Sequence, residues 1–495
     1  MATDLMIGID VGTTAVKAGL LDGHGLELAS FRGVCATQHP RSAFVEQNPD
    51  DWVELIVQAL AHIVATGQAN RVAAIGLCSQ VNTHVFVDAT GTPLMPAILW
   101  QDTRASAEAR ELEARITPAQ KLAWWGAPIP IDASHPLARM LWVARNRADI
   151  WEKTRWVLLP KDYCIFKLTG QIRADPLSNF GLVDTSLCYI DPLLALVAGA
   201  SDRVAPLGGI TDVVGELVLP GPLLGRPVVL GTMDAWTGLV GAGGATQGAA
   251  VYLSGTSEIL GITATHITPT PGVIVFAKNA GIRIHAGPTQ SGGAALQWFC
   301  DMTRQTPQDI ANLATFSDRS KPAPIFLPHL QGERAPLWNA DLRAAFLCMD
   351  AQTTQADLAR AVYEGVAFSA RWVLDALQMS AGLVPDTLSC GGGGFASDLW
   401  NQIRADVLGR TLRRLAVKDP GIVGAAAIAA VGIGTHATLA SASQHFARFD
   451  ATYHPNAARH AALSDLYEIF REATLANVTI NAKYLALARA APFLP

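Results

Sequence analysis

The chain has 495 residues, enough for two or three domains that each bury a core. Half of its residues are hydrophobic and 16% are charged, which excludes a disordered chain. A formal charge of −5 excludes a dedicated nucleic-acid surface, because such a surface needs a basic excess. The seven cysteines (Cys35, Cys78, Cys164, Cys188, Cys300, Cys348 and Cys390) are scattered and include no CxxC, a pattern that fits reduced thiols in a cytoplasm. No basic stretch leads into an apolar run at the start, so no secretory leader and no membrane partner are expected.

In chain order, Ile7, Ile9 and Val11 alternate with Gly8, Asp10 and Gly12, which predicts a buried strand. Gly12-Thr13-Thr14 makes a turn, and Val16–Leu21 returns as a second strand. A third strand is predicted from Leu26 to Arg32, then a helix capped by Asn48 and running to about Thr66, with Pro49 in its first turn. Strands follow at Val72–Cys78 and His84–Asp88, and a helix over Ser134–Trp151. Three strands, a helix and a strand form the order of a ribonuclease-H-like α/β half. Val228–Asp234 reads as a strand ending in a carboxylate, and the glycine-rich stretch Gly238–Gly244 sets the domain boundary near residue 245. Beyond it the sequence predicts a helix over Gln355–Ser380, a strand over Thr387–Cys390, a helix over Ser397–Leu408 and a strand over Thr411–Val417. Gly421–Gly434 is apolar but too short to span a membrane and rich in Ala and Gly, so it predicts a tightly packed buried helix. An amphipathic helix over Ala457–Ala482 closes the chain.

A carboxylate at the end of an apolar strand is costly unless something binds it. Beside Asp10 lie the bare backbone of Gly12, the hydroxyls of Thr13 and Thr14, and the ammonium of Lys17. That set suits a metal-bound polyphosphate, with Asp10 facing the cation, and it also suits an ordinary glycine hairpin. The pattern recurs at Val251–Thr263, where Gly255-Thr256 makes the turn, about 240 residues on; such a spacing points to a duplicated domain. No Gly-Lys dipeptide and no GxGxxG occur, which excludes a P-loop and leaves a dinucleotide fold unsupported. Asp234 suits a general base at a strand end, with an acid capping the next helix as the alternative.

With its two hairpins, with Gly231-Thr-Met-Asp-Ala-Trp-Thr-Gly-Leu-Val-Gly241 and with Ser389-Cys-Gly-Gly-Gly-Gly-Phe-Ala-Ser397, the chain resembles the FGGY carbohydrate kinases from Leu5 to about Leu439. That family belongs with the sugar kinase, actin and heat-shock-chaperone ATPases. The resemblance implies two ribonuclease-H-like, actin-like ATPase domains, residues 1–245 and 246–495, with the active site in the cleft between them. It implies ATP and Mg2+ as cofactors and a small sugar as the other partner, with a homodimer as the oligomer to test for. Asp234 falls on the family's general base. Gly392, Gly393 and Ser397 fall on its nucleotide positions, as do Gly293 and Gln297 in Gly292-Gly-Ala-Ala-Leu-Gln-Trp298.

Three further segments, Pro96–Arg104, Leu158–Gly170 and Gly332–Pro336, resemble xylulose kinases in particular, which makes phosphorylation of D-xylulose to D-xylulose 5-phosphate the first expectation. The substrate side also departs from that pattern. Val81-Asn82 stands where those kinases carry Met-His, and Ala235 stands where they carry Asn after the base. These positions, with Asp234, are the expected sugar contacts. Trp100 is either a platform for the sugar's carbon face or core filler, and His84 is either a sugar ligand or structural. Another pentulose, a sugar alcohol or a catalytically silent sensor of the same fold are the alternatives.

Overall fold

The computed structural model describes residues 4–126, 129–318 and 320–490. They form two compact units. The first comprises Met1–Gly241, Ala277–Gly281 and Pro420–Ala447, and the second Ala242–Phe276, Ile282–Asp419 and Arg448–Pro495.

The sheet of the first unit orders its strands Glu27–Val34, Ala15–Leu21, Leu5–Val11, Val72–Ser79, Pro227–Met233, Val213–Glu216. The first three form an antiparallel meander, and Leu5–Val11, Val72–Ser79 and Pro227–Met233 run parallel. Strand alternation sends Ile7, Ile9, Ile75 and Leu77 into one core with Trp52, Ile56, Ala59 and Ile63 of the helix Pro49–Val64. As expected, that helix starts at Asn48, whose side chain accepts from the Asp50 N–H. The intervening positions are glycine. A Cβ on Gly8 would stand 2.0 Å from the Ile422 carbonyl oxygen, and one on Gly76 would stand 2.1 Å from that of Ala425. The opposite sheet face is therefore filled by helix backbone, that of Pro420–Gly432, which is buried along nearly its whole length. The Ala/Gly run predicted as a packed helix is this element, and the fold places it in the first unit although it follows the second unit's strands in sequence.

The strand Pro227–Met233 carries a bulge. Its register against Val72–Ser79 shifts between Val229 and Thr232. Gly231 sits there at φ 65°, where a Cβ would lie 1.7 Å from the Leu77 oxygen. The extra residue re-aims the strand end that leads into Asp234. The helix predicted over Ser134–Trp151 is two helices, Pro136–Asn146 and Ala148–Lys153, because Arg147 leaves helical conformation (φ −142°, ψ 57°).

The second unit repeats the plan. Its sheet runs Ile274–Val275, Ile284–Thr289, Glu258–Thr263, Ala250–Ser254, Thr387–Gly391, Thr411–Leu415, Phe449–Tyr453. An antiparallel meander again leads to parallel strands, and the helix Gln355–Ala381 packs on the sheet through Val362, Val366, Val373 and Leu377. Thr354 and Asp357 close a capping box at its start, and Gly382 in the left-handed region ends it. The helix Asp398–Leu408 follows the glycine turn as predicted, and the last helix spans Ala457–Ala490. No helix among the described residues is long and apolar enough to cross a membrane.

The approach of helix backbone to sheet backbone leaves no room for a methyl group. Gly76→Ala should lower stability by about 1–3 kcal/mol, read as a reduced urea midpoint. An unchanged midpoint would show that Pro420–Gly432 can withdraw from the sheet freely.

Candidate active site

Asp10 is the last residue but one of the strand Leu5–Val11, opposite Lys17 across the hairpin and Cys78 on the parallel neighbour. The Cys78 sulfur lies 3.6 Å from Asp10 Oδ1 and 3.7 Å from the Gly421 oxygen. Burial, then the charges of Asp10 and Asp234, push this thiol far above its ordinary range, so it stays protonated. Asp234 begins the helix Asp234–Gly241 and accepts from the Ala235 N–H at 2.7 Å. Burial, reinforced by the neighbouring charge of Asp10, raises its carboxyl to about 7, against the opposing pull of the Ala235 amide and Lys17. A carboxylate poised there can accept a proton at neutral pH.

Beneath this strand end lies a fully buried charge group. Lys161 Nζ is 2.5 Å from Asp162 and 2.8 Å from Asp175, and the Thr232 hydroxyl donates to Asp175 at 2.6 Å. The group fastens the segment Leu158–Tyr163 to the strand that presents Asp234.

The remaining residues expected in the first unit sit around the hairpin. Gly12 N–H donates to the Ala15 oxygen, closing the turn, and Thr14 is exposed. The Thr13 hydroxyl donates to Gln80 Oε1, while the Thr13 carbonyl accepts from Gln47 Nε2 at 2.7 Å. Trp100 is 39% exposed, so it is not core filler. Its indole N–H donates to Thr13 Oγ1 at 3.0 Å. Val81 and Ala235 are partly buried. Asn82 adopts φ 56°, a left-handed conformation that Asn tolerates, and its amide donates to Ser134 Oγ at 3.4 Å. His84 is buried beside the Arg139 guanidinium at 3.0 Å; burial first, then the charge of Arg139, pull its pKa well below the usual range. His84 is structural. Arg139, which sequence reasoning missed, reaches the carbonyls of Asn82, Ile98, Leu99 and Ala133 and so ties together the loops carrying Asn82 and Trp100.

In the second unit a cavity of about 740 Å³ opens over the repeated hairpin. Gly255, Thr256, Gly293, Gln297, Gly393 and Ser397 all line it. Gly393 meets nothing within 4 Å of a built Cβ, so its bare backbone faces open space. A Cβ on Gly293 would lie 2.6 Å from the Gly255 oxygen, and Gly392 (φ 93°) turns against Ser254. Ser397 also caps the helix Asp398–Leu408. Gln297 Nε2 donates to Asp301, another lining residue. The buried pair Arg404–Glu258, at 2.6 Å, joins the two glycine segments. Arg404 donates to the Gly394 oxygen and to Ser254 Oγ, and Glu258 also accepts from Tyr252 and Ser254. Sequence reasoning missed this pair. The one signal for it was a Glu opening an otherwise apolar strand, Glu258–Thr263.

Among the described residues no cluster of three or more His, Cys, Asp or Glu is arranged to hold a metal ion. Asp10 is a single hard oxygen donor of the kind Mg2+ takes from protein when phosphate oxygens and water complete its shell.

Asp234 carries two linked expectations. Asp234→Asn should lower turnover by about 10²–10⁴. The parent carboxyl binds its proton more tightly folded than unfolded, so it costs stability as pH rises from about 4 to about 7. The Asn variant should therefore be the more stable protein at pH 8, by on the order of 2–4 kcal/mol, with the difference gone near pH 4. Denaturant melts at the two pH values check this; equal stability at pH 8 would mean that Asp234 is not held near neutrality.

The N-terminal domain model of the FGGY family of carbohydrate kinases matches residues 5–217, and the C-terminal domain model matches residues 250–433. The xylulose kinase of Klebsiella pneumoniae is 30% identical over 87% of this chain and 90% of its own length. A gluconokinase of Bacillus licheniformis is 26% identical over 82% of this chain and 83% of its own. The solved structure of ligand-bound xylulose kinase from Lactobacillus acidophilus superposes with a TM-score of 0.86 at 22% identity, covering 97% of this chain and all of that one, which shows a shared fold. With both family domains matched, a duplicated sheet plan and a strand-end carboxylate raised toward neutrality, the chain belongs to the FGGY family of carbohydrate kinases and is an ATP-using sugar phosphotransferase.

Proposed function

We propose that the chain transfers the γ-phosphoryl group of MgATP to a hydroxyl of a small ketose, D-xylulose first among them, to give D-xylulose 5-phosphate in the cytoplasm. The observation that carries the reading is the place of Asp234, a partly buried carboxyl directly after a bulged strand, where desolvation and the Asp10 charge raise it to about 7. Asp234 takes the proton of the attacking hydroxyl as the new O–P bond forms and the bond from the γ-phosphorus to ADP breaks. ATP supplies the phosphoryl group. Asp10 would hold Mg2+, and Lys17 would supply a cation beside the phosphates. The backbone of Gly12–Thr14 would serve the phosphates, and Gly255, Thr256, Gly293, Gln297, Gly392, Gly393 and Ser397 the nucleotide. Trp100 offers an exposed indole face suited to the carbon side of a sugar. The relatives named xylulose kinase support the choice of sugar.

A second reading, another ketose or a polyol or sugar acid, is favoured by specific side chains. Ala235 presents no polar group where xylulose kinases carry Asn, and the Asn82 amide is already engaged by Ser134. The gluconokinase relative points the same way. Coupled ADP release over pentuloses, tetritols, hexuloses and gluconate decides between them.

If these positions read the sugar, Val81→Met, Asn82→His and Ala235→Asn together should shift relative kcat/KM several-fold toward D-xylulose, since each regained polar contact contributes about 1 kcal/mol. The left-handed backbone at residue 82 tolerates His as well as Asn. A parent already efficient on D-xylulose, with the triple variant no better, would place hydroxyl recognition on other residues.

A further inference from the structure

Four side chains of the first unit close a ring of hydrogen bonds. The Trp100 indole N–H donates to Thr13 Oγ1 at 3.0 Å, and the Thr13 hydroxyl donates to Gln80 Oε1 at 3.0 Å. The Thr83 hydroxyl donates to the same Gln80 oxygen at 3.1 Å, and Thr83 Oγ1 accepts from the Trp100 backbone N–H at 3.2 Å. Gln80 is 2% exposed, and its Nε2 is buried with no protein partner. The ring links the phosphate hairpin, the end of the strand Val72–Ser79, and the loop that carries Trp100.

A threonine hydroxyl has one proton. With that proton directed to Gln80 and a lone pair occupied by the indole, the Thr13 side chain cannot also donate to a phosphate while the ring is closed. What remains for an anion is the hairpin backbone and the exposed Thr14. The carbonyl of Thr13 is fixed from another side by Gln47, which is itself held by the Trp52 indole at 3.0 Å. Thr13 is thus built as an anchor of the hairpin.

We propose that Trp100 is a positioning residue for nucleotide binding: through Thr13 and Gln80 its indole N–H fixes the phosphate hairpin, in addition to any contact its ring face makes with sugar. This rests on the reading of the hairpin as a phosphate site. Removing the N–H while keeping an aromatic face, in Trp100→Phe, should then weaken nucleotide affinity, and Thr13→Val should weaken it by the same route. Two changes to one ring should couple.

The test is titration of the full-length parent and variants with MgADP by calorimetry, together with KM for ATP and for the best sugar of the panel. Trp100→Phe and Thr13→Val should each raise the MgADP Kd about fivefold, the size expected for one lost hydrogen bond. The double variant should be no weaker than the poorer single variant, and Thr13→Ser, which keeps the hydroxyl, should recover most of the affinity that Thr13→Val loses. Thr83→Val, which opens the ring without touching the hairpin or the indole, should reproduce the loss if either other variant fails to fold. A raised sugar KM with unchanged MgADP affinity in Trp100→Phe, or effects that multiply in the double variant, would overturn the proposal. A parent that binds no MgADP would instead overturn the phosphate reading on which it rests.

Discussion

The first unit depends on one steric constraint, the contact of helix backbone with sheet backbone. Gly8 and Gly76 on the sheet meet the carbonyls of Ile422 and Ala425, and the helix Asp234–Gly241 meets the same helix just as closely, Gly241 against the Pro420 carbonyl and Gly424 against that of Thr237, each with a built Cβ within about 2.1 Å of oxygen. At that separation the helix Pro420–Gly432 lies directly behind Asp10 and Cys78, with Gly421 3.4 Å from the Asp10 carboxylate by the same measure. Asp234 follows the end of a strand in the same sheet, and there burial, then the charge of Asp10, raises its carboxyl.

That arrangement exchanges stability for chemistry. A carboxylate desolvated beside a second carboxylate destabilises the folded state at neutral pH, and the same desolvation brings its proton affinity to where a general base is effective. The surrounding structure holds Asp234 in place. A glycine bulge aims the strand, the Ala235 N–H partly offsets the charge, and the Lys161–Asp175–Thr232 group anchors the strand from below.

Buried charges elsewhere hold loops in the same way. Arg404 and Glu258 set the hairpin at Gly255 against the turn at Gly394, and Arg139 gathers carbonyls from the segments around Asn82 and Trp100. Buried ion pairs are poor sources of net stability against apolar replacements, but breaking one partner is costly. Such residues fix geometry where loops of glycine cannot.

Much of this protein was legible in its residues. Alternation of Ile with Gly marked the strand Leu5–Val11, the Asn48-Pro49 start marked its helix, and two glycine–threonine turns disclosed a duplicated plan that the two sheets repeat. These features depend on local periodicity and turn chemistry, which act over a few residues and leave a pattern in sequence. The helix over Gly421–Gly434 was predictable as a packed element, yet only the fold revealed that it backs the first sheet, because a partner some 340 residues away leaves no periodic trace. The same holds for the charge pairs Arg404–Glu258 and Lys161–Asp175 and for the ring through Thr13, Gln80, Thr83 and Trp100. Sequence names each of these side chains as a donor or an acceptor. Which donor meets which acceptor is decided by tertiary packing, since hydrogen bonds and desolvation act over a few ångströms in space and are indifferent to separation along the chain.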